Sequence, residues 1–349
     1  MFSLRKSVAA AQERTGVPAV AAALHMGGET TVAGAADRPF RIASITKSFT
    51  ATLLSEAGRL DERTRTLLSH TAGYRPEAAE PLPPECAGLW SYSNAGYWEA
   101  ASSFADYSAA LHEHVLGPLG LEQTGFETPG DAVLGTLPDG STADPAYPEW
   151  RRPGGGLWST AGDLVTYGLA HCRGYAELHE PLADALGEHY ACGWWVRDGG
   201  LLDHEGSVGG YQTLLLLVPE RELVLAVLTN SWQGSALIKR VVDDLGVVAA
   251  RDTSSQAPPA GSYALDGVEV TIAGGTITEA ETDPLTGARF ERRYPFSTDA
   301  SLMSWRSDVP RDGVARVGWT ALPRADAGSD GGRAAVPRQE DRAASGDAG

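Results

Sequence analysis

A serine and a lysine lie one helical turn apart near the N-terminus, in Ser44-Ile45-Thr46-Lys47. On a helix, positions i and i+3 share a face, so the Lys47 amine can approach the Ser44 hydroxyl. A partly buried lysine has a lowered pKa and can accept the proton of a serine that is otherwise a poor nucleophile. An N-cap serine followed by a solvated lysine would give the same spacing. Lysine is scarce, at positions 6, 47 and 239 only, which favours nucleophilic chemistry at Ser44.

Two further short motifs carry groups suited to the same chemistry. Tyr92-Ser93-Asn94 offers a phenol, which can pass a proton between reacting groups, and an amide two residues later. His204-Glu205-Gly206-Ser207 precedes an expected strand, where a glycine lets a substrate carbonyl approach the main chain. Each motif alone also fits a structural role, the first as a turn and His204 as a buried hydrogen-bonding group.

Taken in order, Ser44-x-x-Lys47, Tyr92-x-Asn94 and His204-x-Gly206 resemble the three motifs of the serine β-lactamase and penicillin-binding-protein superfamily. The similarity is greater to the branch that holds class C β-lactamases, D,D-carboxypeptidases, D-aminopeptidases and related esterases. Supporting phrases lie at residues 40–43, 67–73, 115–121, 155–164 and 228–230, so the resemblance covers about residues 5–248.

The resemblance implies a catalytic role for three residues. Ser44 would be the acylated nucleophile, Lys47 its proton partner, and Tyr92 the general base in acylation and deacylation. No metal or organic cofactor is implied.

The resemblance also implies a set of substrate contacts. Asn94 and the segment from His204 through Gly206 to Ser207 would bind substrate, with His204 in place of the lysine that is common at the third motif. The backbone N–H groups of Ser44 and Ser207 would form the oxyanion hole, because such donors stabilise the charge of a tetrahedral intermediate. Relatives with histidine at this motif tend to be peptidases or esterases, so antibiotic hydrolysis is the less expected role.

Three functions from different classes are compatible with these motifs. The leading prediction is a serine hydrolase that cleaves an amide or ester of a small-molecule or peptide substrate through an acyl-enzyme on Ser44. The alternative is a biosynthetic transacylase, which the lack of a recognisable signal peptide motivates. A non-catalytic penicillin-binding-like binding or sensor module is the third. Several connections look short for the superfamily, which predicts either an open cleft for a large or carrier-bound acyl group or a degraded enzyme that no longer holds Ser44 and Lys47 in register. The three intact motifs favour the active enzyme.

The elements around these motifs predict an α/β (α+β) fold. Its core would be an antiparallel sheet of at least five strands, flanked by terminal helices and interrupted by a helical insertion. The predicted units are a catalytic domain at 1–250 with the insertion at about 48–190, a linker at 251–261, a small β-rich appendage at 262–323 and a disordered tail at 324–349.

Composition excludes several other classes. The net charge of −17 argues against a nucleic-acid partner, which would need clustered lysine and arginine. No window reaches the roughly 18 apolar residues of a membrane span, so neither a membrane association nor export is expected, and a cytoplasmic location is predicted. The three cysteines suggest neither a disulfide framework nor a zinc site. No motif predicts an oligomeric state.

Overall fold

The computed structural model describes residues 2–185, 188–246, 260–265, 268–273, 276–282, 287, 289–295, 307–311, 314–317 and 320–323. The predicted tail at 324–349 lies outside these residues, as does the predicted linker at 251–261 except for its last two residues.

Most helices lie between the first three strands and the strands from position 183 onward. The helices are α1 Leu4–Thr15, α2 Thr46–Glu56, α3 Glu62–Leu68, α4 Asn94–Ala101, α5 Tyr107–Leu111, α6 Gly117–Leu119, α7 Arg152–Gly155, α8 Ala161–Arg173, α9 Ala176–His179 and α10 Gly234–Leu245. The strands are β1 Val20–Met26, β2 Glu29–Gly34, β3 Phe40–Arg41, β4 Trp158–Ser159, β5 Ala183–Ala185, β6 Glu188–Tyr190, β7 Trp195–Arg197, β8 Leu201–Val208, β9 Tyr211–Val218, β10 Leu223–Thr229, β11 Gly261–Leu265, β12 Val268–Ala273, β13 Thr276–Thr282, β14 Arg289–Pro295, β15 Ser307–Arg311, β16 Val314–Val317 and β17 Thr320–Pro323.

Eight strands form one antiparallel sheet in the order β2-β1-β10-β9-β8-β7-β6-β5. The first strand thus lies beside β10, which follows about 200 residues later in the chain, and β2 forms the edge next to β1. The predicted α/β fold, with an antiparallel sheet of more than five strands and flanking helices, is confirmed. Strands β5 and β6 fall inside the range predicted as a helical insertion and extend one edge of this sheet.

Helices cover both faces of the sheet, which explains why its central strands are continuous apolar runs. Successive side chains of a strand point to opposite faces. In β9, Leu215 and Leu217 pack with α2 and α8, whereas Leu214 and Leu216 pack with α1 and α10. The two layers bury strands β9 and β10 fully, so the sheet is a rigid base for the loops at its edge.

A second sheet, in the order β11-β12-β13-β14, packs on the loop that contains Leu82 and Cys86. Tyr263, Ile272 and Ile277 share a buried apolar cluster with Leu82 and Cys86, which lie in the loop before the Tyr92 motif. The contact holds that loop against the C-terminal strands. The domain boundaries themselves stay a prediction.

None of the helices within the described ranges combines the length and the apolar character needed to cross a bilayer.

Candidate active site

Ser44 lies in a single 3₁₀ turn, Ala43–Ile45, which leads directly into α2. The residue before it, Ala43, has a φ of 49°, in the left-handed region that L-residues other than glycine seldom adopt. Such strain persists only where the surroundings fix it, and it is common at functional sites. Here the Ile42 amide donates to Leu157 O at 3.0 Å, and Thr213 Oγ1 donates to Ile42 O at 3.0 Å.

Strand β8 comes unusually close to this turn because of Gly206. A Cβ built on Gly206 would lie 2.2 Å from Ile42 O and 2.3 Å from Thr213 Oγ1, both far inside van der Waals contact. Only glycine therefore allows β8 to lie against the nucleophile turn. The glycine of the third motif sets the spacing between Ser44 and the strand.

Lys47 is fully buried at the start of α2, with three hydrogen-bond partners. Its Nζ lies 3.2 Å from Ser44 Oγ, 2.6 Å from Asn94 Oδ1 and 2.6 Å from Gly154 O. Burial lowers the pKa of Lys47 to about 7, although the charge of Glu77 opposes the shift. Near neutral pH a large fraction of this amine is unprotonated, which is the form able to accept a proton.

The partners of Lys47 also fix the direction of its lone pair. A neutral amine has two N–H groups and one lone pair, whereas an amide oxygen and a backbone carbonyl can only accept. Asn94 Oδ1 and Gly154 O therefore take the two N–H groups. In the protonated form the amine donates to Ser44 Oγ, whereas in the neutral form its lone pair is left facing Ser44 Oγ and can accept the hydroxyl proton.

The Tyr92-Ser93-Asn94 turn is held in place by hydrogen bonds of the backbone amide and the side chain of Ser93. The Ser93 amide donates to Nδ1 of the buried His70 at 3.0 Å, and Ser93 Oγ donates to Arg75 O at 2.7 Å. Ser93 also caps α4, so Asn94 occupies the first position of that helix. This arrangement brings both the Asn94 side chain and the Tyr92 ring to the Lys47 amine.

Tyr92 lies over Lys47, with Nζ 4.9 Å from the ring centroid. Its hydroxyl is buried and lies close enough to the Ser44 side chain to interact with it electrostatically. Burial raises the pKa of Tyr92 strongly, and the contact with Ser44 lowers it by less. The phenol is therefore neutral at ordinary pH, and it can relay a proton more readily than it can remain a phenolate.

His204 lies behind Tyr92, in a buried aromatic cluster. Its Nδ1 lies 2.6 Å from Glu205 O and its Nε2 3.1 Å from the Tyr190 hydroxyl. Because a carbonyl only accepts, Nδ1 carries the proton and Nε2 accepts from Tyr190. Burial and the nearby Lys47 lower the pKa of His204 to about 3, so the ring is neutral. The structure thus places His204 against the ring of Tyr190, and its predicted contact with substrate stays a prediction.

A solvent-open cavity of about 90 Å³ lies in front of Ser44. Ser44, Asn94 and Ser207 are among its lining residues, so three of the predicted site residues meet on one surface. The predicted oxyanion-hole residues, Ser44 and Ser207, both belong to this wall. Glu281 of β13 also lines the cavity, which brings the C-terminal sheet to its rim.

Sequence reasoning missed three residues of this site: Glu77, Arg151 and Gly154. Gly154 lies in α7, close to the side chains of Trp98 and Asn94. A Cβ at that position would lie 3.0 Å from Trp98 Nε1 and 3.5 Å from Asn94 Oδ1. The only signal in the sequence is the run of three glycines, which marks a close backbone approach without naming its partner.

Comparison with known protein families assigns more than half of the chain to one family. A family model described as beta-lactamase matches residues 55–246, more than half of the chain. The match contains Tyr92, Asn94 and the His204 motif and begins after Ser44 and Lys47. The resemblance inferred from the three motifs is confirmed at the level of the family.

A human protein named beta-lactamase-like 1 is 29% identical over 170 residues, which are 42% of this chain and 34% of that protein. The chain spans about a third of the length of the curated relatives it matches.

Solved structures share the fold at low sequence identity. SurE, solved alone and with D-Leu, covers 92% of this chain and 98% of its own, with 21% identity and a TM-score of 0.64 for the structure alone. A beta-lactamase/D-alanine carboxypeptidase from Pseudomonas syringae covers 70% and 98%, with 14% identity and a TM-score of 0.59. SurE therefore resembles a larger share of this chain than the carboxypeptidase does.

Proposed function

The chain belongs to the beta-lactamase family, and we propose that it is a serine hydrolase that cleaves an amide or ester through an acyl-enzyme on Ser44. The family and the fold support a serine hydrolase type of enzyme. The observation that carries the finer proposal is the contact between a fully buried lysine amine, with a pKa lowered to about 7, and Ser44 Oγ at 3.2 Å.

In the proposed acylation, the Lys47 amine takes the proton of Ser44 as Oγ attacks the substrate carbonyl. The bond from Oγ to the carbonyl carbon forms, and the carbonyl oxygen becomes an oxyanion that faces the backbone N–H groups of Ser44 and Ser207. Collapse of this intermediate breaks the bond to the leaving group, which receives a proton through the Tyr92 hydroxyl. Water then attacks the acyl-enzyme with Lys47 and Tyr92 in the same roles.

The lowered pKa of Lys47 gives this mechanism a specific pH dependence. Because only the neutral amine accepts a proton, we expect the rate of acylation to rise with pH through about 7 and then level off. At pH 5 the rate should be about one hundredth of the plateau. The measurement is the second-order rate constant for inactivation by an aryl phosphonate between pH 5 and 9. A rate that is independent of pH across this range would refute the assignment of Lys47 as the base.

For the substrate, we propose an acyl group that ends in, or is followed by, a D-amino acid. Two structural neighbours support this choice, because one is named a D-alanine carboxypeptidase and the other was solved with D-Leu. The cavity in front of Ser44 opens to solvent, so the rest of a peptide could extend out of it. Esters and peptides that differ only in the chirality of their last residue test the choice, and a preference for the L form would overturn it.

The bound D-Leu of SurE also favours a second candidate, transfer of the acyl group to an amine instead of water. A free amino acid carries the amine that such a transfer needs. Product analysis with and without added D-amino acids separates the two reactions. A new amide product supports transfer, and hydrolysis that is unchanged by the added amino acid rules transfer out.

A further inference from the structure

Glu77 lies between Asn94 and Arg151, two residues that are distant from it in the sequence. Its Oε1 accepts from Asn94 Nδ2 at 2.5 Å, and its Oε2 accepts from Arg151 Nη2 at 2.6 Å. The ion pair is mostly buried, with side-chain exposures of 20% for Glu77 and 6% for Arg151. Both residues line the cavity in front of Ser44. The contacts form one series from Arg151 through Glu77 and Asn94 to Lys47.

We propose that Glu77 is a positioning residue for the proposed acyl transfer: it fixes the Asn94 amide so that the amide oxygen faces Lys47, and Arg151 holds the Glu77 carboxylate in place. The inference rests on the proposed function of Ser44 and Lys47. It adds two residues to the site, neither of which belongs to the three sequence motifs.

The orientation of the Asn94 amide matters because its two ends have opposite hydrogen-bonding character. An ionised carboxylate only accepts, so Glu77 selects the orientation in which Nδ2 faces it and Oδ1 faces Lys47. If the amide turned over, its N–H groups would compete for the lone pair of the Lys47 amine. The lone pair would no longer be reserved for Ser44, and the proton transfer would slow.

The two charges act on Lys47 in opposite senses. The negative charge of Glu77 raises the pKa of Lys47 and the positive charge of Arg151 lowers it, while burial is the largest influence. The other titratable groups that face the amine are Tyr92, Tyr97, His70 and His204. Burial keeps all four neutral near pH 7, because it raises the pKa values of the tyrosines and lowers those of the histidines. The ion pair therefore supplies the charges that tune the base.

The test is the pH profile of acylation by an aryl phosphonate in Glu77→Gln and Arg151→Gln. Glu77→Gln removes the negative charge, so the acid limb should move to lower pH by about one unit. Arg151→Gln removes the positive charge, so the limb should move to higher pH. Opposite shifts support the inference, since loss of structure alone would not move the two limbs apart. If the acid limbs of both variants coincide with that of the wild type, the inference is overturned.

A third variant separates the charge from the reach of the side chain. Glu77→Asp keeps the charge but is one methylene shorter, so the plateau rate should fall by on the order of tenfold to a hundredfold with little shift of the limb. A plateau equal to that of the wild type would overturn the positioning role. Because the shorter side chain remains a carboxylate, this variant also serves if Glu77→Gln does not fold.

The matched control is Glu222→Gln, which breaks the exposed ion pair with Arg173, 2.8 Å long and outside the cavity lining. It should leave the profile unchanged, and a shift equal to that of Glu77→Gln would count against the inference. Failure of the proposed function is distinguishable, since wild-type protein would then form no adduct at Ser44 at any pH.

Discussion

Lys47→Met is expected to slow acylation of Ser44 by roughly 10²- to 10⁴-fold, the usual contribution of a positioned general base. Methionine is close to lysine in length and lacks the amine, so Ser44 loses the group that takes its proton. The fold should persist, because a buried apolar side chain carries no desolvation cost. The measurement is the rate of inactivation by an aryl phosphonate at pH 8, with circular dichroism as the check on folding.

The same substitution at Lys239 is the matched control. Lys239 lies on the exposed face of α10, paired with Asp243 at 2.7 Å, and Lys239→Met should react like the wild type. A Lys47→Met variant that is folded and acylates within a few fold of the wild-type rate would show that another group is the base. The residual reaction of Lys47→Met should also lose its acid limb near pH 7.

Tyr92→Phe is expected to separate substrates by their leaving groups. The hydroxyl interacts with Ser44, and the ring lies 4.9 Å from Lys47 Nζ, so the hydroxyl can deliver a proton to a departing amine or alcohol. Hydrolysis of an unactivated amide or alkyl ester should fall by roughly 10²-fold or more. A nitrophenyl ester needs no proton on its leaving group, so its acylation should fall by much less.

Tyr175→Phe is the control for loss of a tyrosine hydroxyl. The Tyr175 ring lies 4.7 Å from the His171 ring, at the residue before α9, and it does not line the cavity. Both substrate types should react normally with that variant. Equal losses for activated and unactivated substrates in Tyr92→Phe would contradict the proton relay and indicate a purely steric role.

The fold could be predicted to a large extent because its signals are local. Runs such as Leu214 to Leu217, bounded by the turn at Pro219, mark buried strands within a few residues. The order of strands was less accessible, since β1 pairs with β10 across almost the whole catalytic part. Burial on both faces also removes the alternation that would have shown which side of each strand faces the core.

In the candidate site, too, the contact that is local in the sequence could be predicted, and the contacts between distant residues could not. The pair of Ser44 and Lys47 is three residues apart, so helix geometry alone predicts the contact. By contrast, Glu77 meets Asn94 across 17 residues, Arg151 meets Glu77 across 74, and Gly154 meets Lys47 across 107. Such contacts depend on how loops pack, and no local spacing encodes them.

His204 shows the limit of the motif itself. The motif indicates a residue beside the substrate, yet it does not specify which face of β8 the side chain occupies. Side chains two apart on a strand share a face, and Gly206 faces the turn at Ile42. His204 therefore points to the same buried side, where its Nε2 accepts a hydrogen bond from the Tyr190 hydroxyl. Ser207, one residue further, reaches the cavity.

The acyl-enzyme is tested most directly by the intact mass of the protein after incubation with an aryl phosphonate and with esters that end in D-Ala, D-Leu or their L counterparts. We predict one covalent adduct per chain, mapped by proteolysis to the peptide that contains Ser44 and absent from Ser44→Ala. Adducts with the D esters should accumulate faster than those with the L esters. An unchanged mass with every reagent, or an adduct that persists in Ser44→Ala, would contradict the assignment of Ser44 as the nucleophile.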